Sequence, residues 1–478
     1  MDSKHLYIYT IGCQMNTYDS SQIAKFLGST GYAENNDLDS ADMIVVNTCS
    51  IRQKAEQKAF SFLGRLSQLK RNKPQLIVAI GGCVAQQEGK KILSRMPFVD
   101  LVFGTHAISR LPALVRRIEK NRTRIVDIGQ QERISTGDYV HATKKNADAA
   151  GVSTFVTIMR GCDNYCTYCV VPFVRGRESS RDPESIVEEI KAGVKKGIRE
   201  VTLLGQNVNS YGKKEGLCSF SQLLERVNTI AGLKRIRFTT SHPKDLSDEL
   251  VDAFKNIDKL CNHIHLPVQS GSTQILKRMN RKYSRDDYLE KVAGLRDKCP
   301  DIAITSDIIV GFPGETDADF EDTISLIRRV EYDGLFAFMY SDRPNAPAAR
   351  FDDKIPEAVK SERLQVVLGM QKEVTMKKHL KRVGTVQEVL VEGMSKKNID
   401  ANEAASIPAG TQGIQWTGRT ADNKIVNFDD CSADGEKFEL KNGILAKILI
   451  KRAFPHSLWG YPVSIKTLKR EGERSYAA

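Results

Sequence analysis

Three cysteines stand at Cys-x3-Cys-x2-Cys spacing in the run Arg160-Gly161-Cys162-Asp163-Asn164-Tyr165-Cys166-Thr167-Tyr168-Cys169. They follow the alternating stretch Phe155-Val156-Thr157-Ile158-Met159, which predicts a strand delivering Cys162, Cys166 and Cys169 into a loop. Soft thiolates this close together select zinc or iron-sulfur chemistry. A closed zinc or 4Fe-4S site takes four protein ligands, and this loop offers three. Two readings stay open: an iron-sulfur cluster with one corner free for a small molecule, or a three-cysteine zinc loop completed by a distant histidine. Zinc spacings usually come in Cys-x2-Cys pairs, which favours the cluster.

Three further cysteines each end a strand-like run: Leu6 to Ile11 before Gly12-Cys13, Met43 to Val46 before Asn47-Thr48-Cys49, and Leu76 to Ile80 before Gly81-Gly82-Cys83. Each run leads into a helix-compatible stretch, most clearly Arg52 to Leu69, so a βαβαβ pattern with a doubly wound parallel sheet is expected. Ligands of such sheets bind outside the carboxyl ends of the strands. Cys13, Cys49 and Cys83, 36 and 34 residues apart, would therefore gather at one edge and form a second three-cysteine site. A lone cysteine after a strand is often a small buried residue. Three at the same topological position are harder to explain that way.

The elements that must hold these sites divide the chain into an N-terminal domain (1–125), a linker (126–150), a barrel (151–382), a small β-barrel (383–470) and a tail (471–478). In the barrel, strands are expected at Phe155 to Met159, Glu200 to Leu204, Arg235 to Thr239, His263 to Val268, Ile302 to Val310 and Leu335 to Tyr340. With intervening helices these make an open, partial (β/α)6 barrel, whose chemistry belongs on the loops at the strand carboxyl ends. Cys162, Gly205-Gln206-Asn207, Ser270-Gly271-Ser272 and Gly311 to Glu315 all fall there. Glycines admit a ligand close to the backbone, and Gln206, Asn207, Asn209 and Gln269 offer donors and acceptors for a nucleoside and an amino acid. Cys261, His263 and His265 share a strand face, which would suit a further metal but reads more simply as barrel-interior side chains, with His265 near the ligand. Beyond Val383 come short alternating runs, Val386 to Val391, Ile414 to Thr417, Lys424 to Phe428, Leu445 to Ile450 and Val463 to Thr467, which suit a small β-barrel; such barrels often bind single-stranded or looped nucleic acid, and an inert packing module is the alternative that the near-neutral charge leaves open.

The chain has 478 residues, 41% hydrophobic and 27% charged, as in ordinary globular proteins. No apolar run is long enough to span a bilayer, and Met1-Asp2-Ser3-Lys4-His5 leads into a strand pattern without a signal or transit peptide, so a cytoplasmic protein is expected. Ten cysteines in a chain of this size argue for metal binding over a disulfide scaffold. The net charge of +12 divides as +7 over residues 1–150, +4 over 151–383 and +1 over the remainder. It suits a polyanionic partner, with basic clusters at Arg110, Arg116, Arg117, Lys120, Arg122 and Arg124 and at Lys377, Lys378, Lys381 and Arg382. Either cluster can equally be a solvated helix face.

Thr10-Ile11-Gly12-Cys13-Gln14-Met15-Asn16, Asn47-Thr48-Cys49-Ser50-Ile51-Arg52, Gly82-Cys83-Val84-Ala85-Gln86-Gln87-Glu88 and Arg160 to Arg175, in that order, resemble the radical S-adenosylmethionine methylthiotransferases. The resemblance extends through Leu203 to Asn209 and Asp307 to Thr316 to a terminal domain similar to the TRAM barrel. It implies that Cys162, Cys166 and Cys169 hold a 4Fe-4S cluster that cleaves S-adenosylmethionine, and that Cys13, Cys49 and Cys83 hold an auxiliary 4Fe-4S cluster. Cofactor contacts are expected from Gly205, Gln206, Asn207, His265, Gln269, Ser270, Gly271, Asp307 and Gly311. No acid-base residue is expected to be catalytic. The residues after the cluster cysteines, with His456-Ser457-Leu458, point to the branch that 2-methylthiolates N6-dimethylallyl(isopentenyl)adenosine at position 37 of tRNA. Methylthiolation of N6-threonylcarbamoyladenosine or of a ribosomal-protein aspartate is the alternative within the same chemistry, and a non-catalytic iron-sulfur RNA-binding protein the alternative outside it. The tRNA anticodon loop and a flavodoxin-type reductant are the implied partners of a monomer with no membrane contact, and the sulfur source is left unassigned. Two departures from the family pattern stand out: Asn345-Ala346 replaces the usual Gly-Thr, and Ile399 to Gln412 has the look of an insertion.

Overall fold

Residues 4–50, 53–131, 133–134, 151–395 and 415–466 are described by the computed structural model. The first unit is a parallel sheet of β1 (Lys4–Thr10), β2 (Tyr32–Glu34), β3 (Met43–Thr48), β4 (Ile77–Gly82), β5 (Leu101–Phe103) and β6 (Ile125–Asp127), in the order β2-β1-β3-β4-β5-β6. Strand periodicity explains the near-continuous apolar runs. Met43 and Val45 enter the core under helices Gln14–Gly28 and Leu111–Asn121, while Ile44 and Val46 enter the opposite core under helix Gln53–Asn72. The winding reverses at β1, which has β2 on one side and β3 on the other, so the crevice between the carboxyl ends of β1 and β3 is a topological switch point. The strand β6 carries the sheet into residues 126 and 127, where the sequence suggests a linker. The rest of that stretch from 135 to 150 lies outside the described residues.

The second unit contains β7 (Ser153–Thr157), β8 (Met159–Arg160), β9 (Ser179–Ser180), β10 (Glu200–Leu204), β11 (Arg235–Thr239), β12 (His263–His265), β13 (Ala303–Val310) and β14 (Gly334–Met339). Two three-stranded parallel sheets, β11-β10-β7 and β12-β13-β14, share one apolar core and are linked by a parallel bridge between Ile236 and Leu260. The run expected as one strand, Phe155 to Met159, breaks after Thr157, because Met159 and Arg160 turn away to pair antiparallel with Ser180 and Ser179. This two-stranded ribbon closes the segment from Gly161 to Glu178, whose first half is the Cys162–Cys169 loop. Similarly β12 stops at His265, since Pro267 has no N–H to give to a ladder. Leu266 N and Gln269 N nevertheless keep bonds to Thr305 O (2.8 Å) and Asp307 O (2.9 Å).

Helix Glu357–Leu380 leads to a closed barrel of β15 (Val386–Met394), β16 (Trp416–Thr420), β17 (Ile425–Phe428), β18 (Leu445–Ala453) and β19 (Leu458–Lys466), ordered β15-β16-β17-β19-β18. The insertion-like stretch 399–412 lies outside the described residues. The barrel docks at the amino ends of β10 and β11, opposite the cysteine loops. Arg235 donates to Arg419 O (2.6 Å) and Glu388 O (3.1 Å), and Arg237 donates to Thr420 O (2.7 Å) and Ala421 O (2.9 Å). Arg237 Nε also meets Glu200 Oε2 at 2.9 Å in a buried ion pair. Arg237→Ala strands the Glu200 carboxylate, and a loss of about 3–5 kcal/mol in urea-unfolding free energy is expected, against a negligible loss for a typical surface ion pair.

Candidate active site

The Cys162–Cys169 loop is held from several directions. Gly161 N donates to Gln206 Oε1 (2.5 Å), and Cys162 N donates to Gly176 O (3.3 Å). Thr167 bonds Met279 O and Arg278 O, and Asn280 Nδ2 donates to Asn164 O and Tyr165 O. Arg281, 4% exposed, places Nη1 3.5 Å from Cys166 Sγ and fixes its other nitrogens on Pro267 O (2.6 Å) and Tyr283 OH (2.9 Å). Burial pushes the Cys162 thiol up to about 11 and the Cys169 thiol up to about 12. Without a cation to bind, these sulfurs keep their protons, so loading a metal releases them.

The second triad lies where the sheet winding predicts. Cys13 follows β1 and caps helix Gln14–Gly28, Cys49 follows β3, and Cys83 follows β4. The loops approach so closely that a Cβ on Gly12 would lie 2.5 Å from Cys49 Cβ, and one on Gly82, whose φ is +90°, would lie 2.3 Å from Thr48 O. A buried amide net locks them: Asn16 Nδ2 donates to Asn47 Oδ1 (3.1 Å) and Thr48 O (2.9 Å), and Asn47 Nδ2 donates to Asn16 O (2.9 Å) and Ser20 Oγ (2.9 Å). A hydrogen bond with Cys49 lowers the Cys13 thiol to about 6, helped by the Arg175 charge and the amides at the helix start. Burial raises the Cys83 thiol, and Arg175 opposes that rise.

The two triads share a wall. Cys83 packs with Val170 and Val174, which follow Cys169, and with Ala346. Asn345 takes a φ of +68°, the left-handed conformation that asparagine tolerates better than most side chains and glycine adopts freely. Among the described residues no three His, Cys, Asp or Glu side chains are gathered tightly enough to hold one metal ion. A cubane takes its thiolates on different irons and accepts a wider triad.

Across the barrel mouth, four buried polar atoms have no partner among the described residues: Asn207 Oδ1, Asn209 Oδ1, Ser241 Oγ and His242 Nε2. Burial, with Arg281 and Lys244 nearby, pushes the His242 imidazole down to about 2. Its Nδ1 accepts from Lys244 N (3.2 Å), so the proton of the neutral ring sits on Nε2 as an unused donor. Deeper in the lumen, His265 Nε2 lies 3.5 Å from Asp307 Oδ2, and Nδ1 lies 3.0 Å from Thr305 Oγ1.

The other expected cofactor contacts are placed differently. Gln206 is occupied by Gly161 N, and Ser270 is fully buried with its Oγ accepting from Ser272 N (3.2 Å). A Cβ on Gly271 would lie 2.4 Å from Thr323 Cα, one on Gly311 2.2 Å from Lys360 Cγ, and one on Gly205 2.5 Å from Met159 Cγ. These glycines admit close packing under the loops, and Gln269 takes a φ of +76°. Sequence reasoning passed over Arg281, Arg175, Ser241 and His242. The last two were within reach, as a polar pair directly after a barrel strand.

The Radical SAM superfamily model matches residues 156–327, and the Uncharacterized protein family UPF0004 model matches residues 5–104. The tRNA-2-methylthio-N(6)-dimethylallyladenosine synthase of Desulfosudis oleivorans is 53% identical over 463 residues, 97% of each chain. This chain belongs to that synthase family. The enzymes of the same name from Geobacter metallireducens (50% identical; 96% of this chain, 98% of the relative) and Syntrophus aciditrophicus (49%; 96% and 95%) agree. Among solved structures, the radical S-adenosylmethionine methyltransferase TsrM from Kitasatospora setae shares the fold, with a TM-score of 0.54 at 13% identity over 81% of this chain and 80% of that one.

The residues fit the cofactors of this synthase family. Three soft thiolates per site suit an iron-sulfur cluster with one free corner, and the orphaned amide oxygens, hydroxyl and imidazole N–H at the mouth suit the ammonium and carboxylate of an amino-acid ligand. His242 also gives an acid signature. The unfolded chain takes up a proton near pH 6.5 while the folded site resists it until about 2, so the stability held above pH 6.5 falls as pH drops. Urea unfolding of the apoprotein between pH 6.5 and 5 is expected to show wild type losing about 1.6 kcal/mol more than His242→Asn over that interval; parallel curves would contradict this.

Proposed function

We propose that this chain is a tRNA methylthiotransferase that converts N6-dimethylallyladenosine at position 37 of tRNA to its 2-methylthio derivative. The observation that carries the reading is the pair of cysteine triads on a shared wall, in a chain 53% identical to a synthase of that name. Bound here, two 4Fe-4S clusters and S-adenosylmethionine would supply the one-electron chemistry that exchanges the adenine C2–H for C–SCH3.

Cys162, Cys166 and Cys169 hold one cluster and Cys13, Cys49 and Cys83 the other. Arg281 balances the charge on Cys166, and Arg175 that on Cys13 and Cys83. With S-adenosylmethionine bound, His242 would offer its Nε2–H to the carboxylate, and Asn207 and Asn209 would offer their amide oxygens to the ammonium. Gly205, Gln206, Gln269, Ser270, Gly271 and Gly311 shape the loops around it, and His265 and Asp307 line the lumen below. The two linked sheets act as one open (β/α)6 barrel, residues 151–382, between the cluster domain 1–125 and an RNA-binding, TRAM-like barrel 383–470. On that last barrel, Lys447, Lys451, Arg452 and Phe454 on and beside β18 offer cations and an exposed ring to RNA, with Arg452 5.6 Å from the ring centroid of the buried Trp459. No helix among the described residues is long and apolar enough to cross a membrane. A cytoplasmic monomer taking electrons from a flavodoxin-type donor completes the reading.

Anaerobically reconstituted protein, given S-adenosylmethionine, a reductant and tRNA carrying N6-dimethylallyladenosine, is expected to yield the 2-methylthio nucleoside by mass spectrometry. Cys162→Ala and Cys13→Ala should each abolish it. Release of 5′-deoxyadenosine with unmodified tRNA would overturn the substrate assignment and redirect the search to the threonylcarbamoyl tRNA or the ribosomal protein. Absence of both products would favour a non-catalytic RNA-binding role.

A further inference from the structure

The strand β14 carries an aromatic ring that no core absorbs. Leu335, Ala337 and Met339 pack on the barrel's apolar core, so the alternate residues of the strand turn toward the lumen. Phe336 is paired in register with Asp307, whose carboxylate meets His265 at 3.5 Å. Its ring stands edge-to-face with that of His265, centroids 6.1 Å apart at 73°. Phe336 is nonetheless 53% exposed, on an inward-facing strand surface. Among the described residues β7 and β14 end their sheets, leaving the lumen open along one side between them. The position thus combines a flat apolar face, a donor-acceptor pair at its edge and access from outside.

We propose that Phe336 is the stacking platform for the target purine, with His265 and Asp307 at the edge of the base. This rests on the methylthiotransferase reading and deepens it by naming the residue that positions the substrate. A nucleotide in a single-stranded loop can swing its base out of the RNA stack and onto an aromatic side chain. The ring of Phe336 offers the π face, and its apolar rim suits the branched hydrocarbon on N6. An aliphatic side chain of similar volume would fill the space without stacking.

The test uses reconstituted holoenzyme and an anticodon stem-loop RNA carrying N6-dimethylallyladenosine. Phe336→Ala should lower kcat/KM for methylthiolation by roughly 5- to 150-fold, the range of one lost base-aromatic stack. Release of 5′-deoxyadenosine without RNA should stay within about twofold, since a platform for the purine is not used when no RNA is bound. Phe336→Trp should recover most of the loss and Phe336→Leu should not. As a reading independent of turnover, fluorescence of 2-aminopurine at the target position should be quenched by wild type and Phe336→Trp and remain bright with Phe336→Ala. Equal recovery by Leu and Trp, no effect of Ala, or loss of RNA-free cleavage in the Ala variant would overturn the inference. If wild type makes no methylthio product, the underlying reading has failed instead.

Discussion

The guanidinium of Arg175 ties the two halves of the site together. It comes from the segment just past the Cys162–Cys169 loop and meets Asp19, on the helix that Cys13 begins, at 2.7 Å, with both side chains buried. Removing one partner of such a pair leaves an uncompensated interior charge, which costs about 3–5 kcal/mol. A second buried bridge runs parallel to it: Tyr18 OH donates to Glu189 Oε1 (3.1 Å), and Arg181 holds the same carboxylate at 2.8 Å. With Cys83 seated against Val170 and Val174, these contacts set the carboxyl edge of the first sheet against the mouth of the barrel. Neither cysteine loop can shift without disturbing the other.

The same charges answer the cost of gathering six sulfurs in a partly dry interior. Desolvation favours neutral thiols, as the raised Cys162, Cys169 and Cys83 show, and each triad is met by an arginine that is itself anchored elsewhere. Arg281 is fixed by Pro267 O and Tyr283, and Arg175 by Asp19. Such anchoring keeps the cation directed at sulfur. The mouth follows the opposite rule: Asn207 Oδ1, Asn209 Oδ1, Ser241 Oγ and His242 Nε2 are buried and have no partner among the described residues, a cost to stability that a ligand would offset.

Much of this was legible because the relevant patterns are local. Cysteines directly after β-rich runs announced both triads, and the rule that parallel sheets expose their carboxyl ends predicted their convergence. The sequence could not show that β1 sits at the reversal of winding, since strand order depends on which helices cross which face. Nor could it show that Thr157 ends a strand and Met159 begins a ribbon, because alternation continues through the break. At glycine loops read as ligand contacts the structure shows close packing, as at Gly271 against Thr323 and Gly311 against Lys360. A missing side chain has the same appearance in sequence whether backbone, helix or ligand fills the space. Arg175 and Arg281 were hidden for the complementary reason: an arginine's partner is chosen by the fold, and each lies far in sequence from at least one sulfur it serves.

The central claim is that each triad holds its own cluster. Iron and acid-labile sulfide analysis of the anaerobically reconstituted protein, with electron paramagnetic resonance of the reduced form, tests it most directly. The account predicts about eight irons per chain in wild type. It predicts about four in either the Cys13→Ala, Cys49→Ala, Cys83→Ala variant or the Cys162→Ala, Cys166→Ala, Cys169→Ala variant, each with a different spectrum. A wild-type content of about four that vanishes with one triple variant and is untouched by the other would contradict it, leaving the second triad without a cluster.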